Sequence, residues 1–250
     1  MDQDTKLINL ALDCGEIMLL SGAETFRVQD TMKRILSTTG REKIEATAIS
    51  TALLVTLPRG EHPPLAMMRG IRNPSVNFQK ICQVNHISRG FVSGSLTLDE
   101  AAEHVLQITN ETPYPICLRA SGYGLISGGF SFLSSQSLSD GLISFLIGLF
   151  LGRFLLWLGM KKIPYFLPSF LGGAFAALCA AGVHPLLPFT HIDTIVIGGI
   201  MPLLPGLTFS KAIRDLLEGN ILSGSTRLVE ALMTASFLAG GVGMALKLFA

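Results

Sequence analysis

Three groups of residues have the types and spacing to do chemistry. The first runs from Gly198 through Pro202, Pro205 and Gly206 to Thr208, Ser210, Lys211, Arg214, Asp215 and Glu218. An apolar run is broken by the two prolines and leaves as a charged amphipathic segment. In lipid, a broken helix leaves backbone N–H and C=O groups without partners. That is tolerated only where protein buries them or a watery cavity receives them. Paired Pro/Gly interruptions of this kind point to a site for a small solute. The second group is Arg153, a lone cation inside an apolar stretch, about 12 Å along a helix axis from Lys161 at about 1.5 Å per residue. A charge in that setting is costly and by default marks a functional site with a partner. Arg153 either snorkels toward the cytoplasmic headgroups or faces a helix bundle and attracts a carboxylate. Arg119, nearer the boundary, reads as a snorkelling anchor.

The third group is Gly22-Ala23-Glu24-Thr25-Phe26-Arg27-Val28-Gln29-Asp30. Its plain reading is a capped helix with Glu24–Arg27 and Asp30–Arg34 surface pairs. Its sharper reading makes Glu24 a fixed contact to a membrane domain or partner chain. As an acid/base pair Glu24 and Asp30 are weak, because six residues apart on a helix they do not share a face.

Other chemistries find little support. His62, His86 and His104 are isolated and lack metal-ligand spacing. Gly-rich phosphate loops and nucleophile elbows do not occur, so no metal or cofactor is expected and ATP drive is disfavoured. Four scattered cysteines form no CxxC pair and read as packing residues. A net charge of +1 without a basic face argues against nucleic-acid binding.

The elements that must position these groups divide the chain in two. Of 250 residues 49% are hydrophobic and 15% charged, and the mean hydropathy is +0.50. Residues 1–112 hold 24 charged side chains and 113–250 hold 13. The first part reads as a water-soluble α+β domain of order ααβββαα. Leu7, Leu10, Ala11, Cys14, Ile17 and Met18 share one helical face, ended by Ser21-Gly22. A second helix runs from Ala23 to Thr38 and stops at Gly40. Lys43–Leu57 gives one or two strands, Arg59–Pro64 a turn, and Leu65–Ile71 a further strand ending before Asn73-Pro74. Helices follow near Ser75–Phe91 and Leu98–Asn110, the latter with a Thr97/Glu100 capping box.

The second part reads as a bundle of five transmembrane helices, about 115–134, 141–160, 165–183, 193–210 and 228–248. Lys161, Lys162, Lys211, Arg214 and Arg227 fall in alternate connections, which places the N-terminal domain in the cytoplasm and the chain in the cell membrane. Asp215 and Glu218 can pair i,i+4 with Lys211 and Arg214, Ser223–Arg227 turns the chain into the last span, and Arg227 can reach Glu230. Small residues recur in the spans, with GxxxG at Gly148 and Gly152, and read as close helix packing.

The chain resembles the threonine/serine exporter family in its short form. The likeness rests on Gly22-Ala23-Glu24 with Arg27-Val28 and Asp30, on Thr56-Leu57-Pro58-Arg59, and on Val84-Asn85 with Ser88-Arg89. It rests above all on Pro202-Leu-Leu-Pro205-Gly206, followed by Arg214-Asp215, Gly219, Ser223-Gly224 and Arg227. The resemblance implies a cytoplasmic domain, about five spans, and export of a small carboxylate metabolite: a threonine/serine-type amino acid or a dicarboxylate such as succinate. The broken helix and the lone cation then suggest a substrate pathway at Pro202, Pro205, Gly206, Thr208, Ser210 and Arg153, and without a nucleotide-binding loop proton motive force is the expected energy source. Long members carry a second membrane half. This chain resembles the larger component of a split system, which implies a small membrane partner subunit or a second copy. Members of the family carry Asn where Ser210 stands, a hydroxyl replacing an amide. Two alternatives remain: a membrane-anchored enzyme with its site in residues 1–112, and a non-transporting scaffold subunit.

Overall fold

The computed structural model describes residues 2–60, 62–71, 76–111, 114–161, 163–183 and 185–248. Expected turn and loop positions at Glu61, Asn73-Pro74, Ser75, Lys162 and His184 lie outside them. The chain forms two compact units, Met1–Thr112 with Ser210–Leu228, and Pro113–Phe209 with Val229–Ala250.

The first unit contains helices α1 (Gln3–Leu20) and α2 (Thr25–Ser37), strands β1 (Glu45–Ile49), β2 (Ala52–Arg59) and β3 (His62–Gly70), then α3 (Phe78–Val92) and α4 (Leu98–Asn110). The apolar spacing of α1 suggests one buried face. In the structure Ile8, Leu12 and Leu19 are buried as well, because α2, α3, α4 and the sheet all pack on this helix. The strands form an antiparallel sheet of order β1-β2-β3. Pro58 sits in the central strand, where it cannot donate a ladder hydrogen bond, and the register shifts there between Leu57 and Arg59. Strand β3 starts at His62, earlier than the expected Leu65; Pro63 and Pro64 are accommodated because it is an edge strand. The Thr97/Glu100 capping box forms, with Glu100 Oε2 accepting from the Thr97 N–H at 2.8 Å.

The second unit holds α5 (Ile116–Ser135), α6 (Leu138–Gly159), α7 (Leu167–Val183) and α8 (Ile192–Ile200); helices α9 (Gly206–Leu217) and α10 (Ile221–Lys247) follow and are shared between the two units. Helices α6 and α10 are each long and apolar enough to cross a membrane, and α8 with α9 qualifies as one bent pair. Helix α7 is a shorter apolar helix, and α5, nearly half Ser and Gly, falls outside that set. The helices of this unit approach on glycine. A Cβ at Gly124 would lie 2.9 Å from the Phe145 carbonyl oxygen, and one at Gly173 2.7 Å from that of Leu238.

Two expected boundaries move. The span at 193–210 is interrupted: α8 stops at Ile200, a 3-10 turn covers Met201–Leu203, and Leu204 is extended at φ −64°, ψ 133°. The last helix begins at Ile221, not near 228, so Ser223–Arg227 is helical and the turn sits at Gly219-Asn220. The hydroxyls that suggested a turn are satisfied inside the helix, Ser225 donating to Ile221 O and Thr226 to Leu222 O, both at 2.7 Å.

Candidate functional site

Within the first unit, two glycine turns of one design bring the N-terminal motif to the motif after the break. Helix α1 ends with the Gly22 N–H donating to Leu19 O and the Ala23 N–H to Met18 O, Gly22 holding φ +85°. Helix α9 ends likewise, the Gly219 N–H donating to Leu216 O and the Asn220 N–H to Asp215 O, with Gly219 at φ +82°. Both are Schellman turns, in which glycine takes the left-handed position without a Cβ clash. A Cβ at Gly22 would lie 2.7 Å from Lys211 Nζ, so a side chain there would displace the lysine end, while the positive φ is what favours glycine. Gly224 closes the α9–α10 hairpin, because its Cβ would meet Leu216 Cγ at 2.6 Å.

Those turns set up a charged cluster. Glu24 is the N-cap residue of α2, yet its carboxylate does not cap the helix; Arg214 Nη1 donates to it instead. Thr25 Oγ1 donates to Asp215 Oδ2 at 3.2 Å, and Arg227 Nε lies 3.3 Å from the same oxygen without hydrogen-bond geometry. Asp215 has no exposed surface and its Oδ1 lacks a hydrogen-bond partner among the described residues. Lys211 Nζ lies 5.9 Å from the centre of the Phe78 ring. The sharper sequence reading gives Glu24 a contact to the membrane domain or a partner chain; in the structure its partner is Arg214, in the same chain and the same compact unit. Among the described residues none of the local pairs Glu24–Arg27, Lys211–Asp215, Arg214–Glu218 and Arg227–Glu230 closes to an ion pair; Glu24, Asp215, Arg214 and Arg227 pair at longer range instead. Asp30–Arg34 forms as expected at 2.8 Å, and Arg27 is exposed, apart from the cluster. Ser223 is buried in the hairpin. Thr25 was the residue sequence reasoning passed over; its signal was its place between Glu24 and a buried helical face.

The break itself lies at Pro202–Gly206. Its prolines bring no N–H, and the Gly206 N–H turns back to Leu204 O at 2.9 Å. Helix α9 then starts afresh, so the N–H groups of its first turn, at Leu207 and Thr208, lie at the positive end of a new helix dipole. Gly206 and Leu207 are exposed and Thr208 is half-buried. Arg153 is not drawn to this place. It is exposed on α6 and lines a different cavity with Arg119, one that contains none of the residues of the break.

Another polar pair escaped the sequence reading. Asp140, fully buried at the start of α6, holds His191 at the start of α8, with Oδ2 2.9 Å from Nδ1 and Oδ1 accepting the His191 N–H at 3.2 Å. Tyr165 donates to Glu230 at 2.6 Å. Neither spacing is visible along the chain, because the partners lie more than fifty residues apart.

With this geometry in place, residues 9–249 match the family model ThrE, described as "Putative threonine/serine exporter". The chain belongs to the threonine/serine exporter family. It is 24% identical to the "Threonine/serine exporter" of Corynebacterium glutamicum, covering 97% of this chain and 51% of that protein. It is 26% identical to the "Probable threonine/serine exporter" of Mycobacterium tuberculosis, covering 97% and 46%. It is 24% identical to the "Probable succinate transporter subunit YjjP" of Escherichia coli K12, covering 99% of this chain and 96% of that one. The chain thus spans about half the length of the two threonine/serine exporter relatives and nearly all of the YjjP relative. No solved structure matches. Family membership and the apolar helices make this a membrane protein.

Proposed function

We propose that the chain is a component of a secondary exporter for a small carboxylate-bearing metabolite, either a threonine/serine-type amino acid or a dicarboxylate such as succinate. It acts with a small membrane subunit or a second copy of itself, as the word "subunit" in the YjjP relative suggests. In this reading α5, α6, α7, the α8–α9 pair and α10 are five spans, with the α1–α4 domain in the cytoplasm of a cell-membrane protein. The observation that carries the proposal is the restart of α9 at Gly206 after Pro205 and the extended Leu204. A helix N-terminus with free N–H groups and hydroxyls from Thr208 and Ser210 suits a substrate carboxylate, the chemistry that broken helices supply in other transporters. The cluster of Glu24, Arg214, Asp215 and Arg227 then anchors the C-terminal end of α9 within the first unit.

Pro205→Ala restores a donor at the break, and Gly206→Leu places a bulky side chain at the exposed start of α9. Both variants should lose efflux of radiolabelled threonine or succinate while remaining in the membrane fraction. Native efflux in both variants would remove the break from the pathway. Running the assay in liposomes with and without a candidate small membrane subunit separates transport from a scaffolding role.

A further inference from the structure

We propose that the cavity lined by α5, α6 and α7 is a binding site for an anionic glycerophospholipid. It measures about 720 Å³ and is lined by Arg119 and Arg153, by aromatic side chains that include Phe150, Phe154, Trp157 and Phe175, and by other apolar neighbours. No acidic residue lines it, and neither arginine has an ion-pair partner among the described residues. Lys161 adds a third cation beside it, its Nζ 5.3 Å from the Trp157 ring centre. Helix α5 begins here with Pro115 and Ile116 in the lining, so the positive end of its dipole adds to the same field.

Charge alone fits any anion; the walls select among them. Apart from the two guanidinium groups the lining is almost wholly apolar, and Phe150, Trp157 and Ile116 are exposed on the outer surface of their unit. A three- or four-carbon acid would fill little of a cavity in the range that takes drug-sized ligands, about 300–1,000 Å³. A lipid matches both properties. Its phosphate accepts from Arg119 and Arg153, forked donors suited to phosphate, while an acyl chain lies along the aromatic wall. Basic pockets between spans at the cytoplasmic side, flanked by aromatic side chains, bind such headgroups. The site also resolves the two sequence readings of Arg153: its counter-charge is a headgroup.

The chain carries one tryptophan, Trp157, and it lines this cavity. Its fluorescence in phosphatidylcholine vesicles containing brominated phosphatidylglycerol or brominated phosphatidylcholine at equal mole fraction therefore reads occupancy directly. At about fivefold per basic residue, the native chain should prefer the anionic lipid by roughly 25-fold. R119Q/R153Q should lose that preference, and R119K/R153K should keep most of it. Equal quenching of the native chain by the two lipids overturns the proposal, and this arm needs no variant to fold. An undiminished preference in R119Q/R153Q also overturns it. Loss of the preference on adding millimolar succinate or threonine would assign the cavity to a soluble carboxylate and overturn it too. None of these readouts depends on transport.

Discussion

Asp215 and Glu24 are both carboxylates paired with arginine, but their surroundings make them unequal. Asp215 has no exposed surface and Arg227 only 11%, whereas Glu24 is paired with an Arg214 that is 58% exposed. Removing one partner of a buried pair strands the other charge and costs about 3–5 kcal/mol, while an exposed pair contributes about 0–1 kcal/mol. Asp215→Ala should therefore lower the unfolding midpoint of the detergent-purified protein strongly, and Glu24→Gln should lower it slightly. Equal shifts in a thermal-unfolding assay would mean that the Asp215–Arg227 pair is not buried in solution. The residues themselves stood out along the chain, but which of them pair was not legible. Five carboxylate–arginine or carboxylate–lysine spacings of three or four residues suggested local pairs in the sequence, of which only Asp30–Arg34 forms an ion pair in the structure. Helix surfaces favour such pairs only weakly, by about 0.2–0.5 kcal/mol. A buried carboxylate with a threonine donor and a second arginine outcompetes them.

At the scale of elements, the hairpin of α9 and α10 depends on two glycines with different duties. Gly219 supplies a left-handed backbone conformation, and Gly224 supplies the absence of a side chain against Leu216. Gly219→Ala should cost about 1 kcal/mol, the left-handed penalty for an L-residue. Gly224→Leu should cost more, because a side chain there meets the backbone N of Leu216 as well as its Cγ. Comparing the two variants by thermal unfolding checks the order; a larger loss for Gly219→Ala would contradict it. The helices and strands of the first unit could be read from apolar spacing, since each buries a face with the period of its own backbone. The helix ends at Gly22 and Gly40 were visible too, because glycine there takes positive φ. The start of α10 was not. Ser223, Ser225 and Thr226 look like turn residues until their hydroxyls find carbonyls one turn back. The interruption at Pro202–Gly206 was plain, because two prolines and a glycine leave a helix no continuous ladder. What the sequence missed was the completeness of the break, with an extended residue and a new helix beyond it.

For the whole molecule, the placement of the four cysteines has a practical outcome. Cys14 is fully buried in α1, and burial pushes its thiol up to about 12, so it stays protonated and unreactive near neutral pH. Cys179 is half-buried in α7, while Cys82 on α3 and Cys117 on α5 are exposed. The native chain therefore offers one accessible attachment point in each of its two units, with no engineered residue needed. Maleimide dyes at pH 7 should label Cys82 and Cys117 first, as peptide mapping would show. Preferential modification of Cys14 would contradict the packing of α1. A donor and acceptor fluorophore placed at those two thiols make the unmodified sequence its own ruler, with one label on each unit to be read by energy transfer.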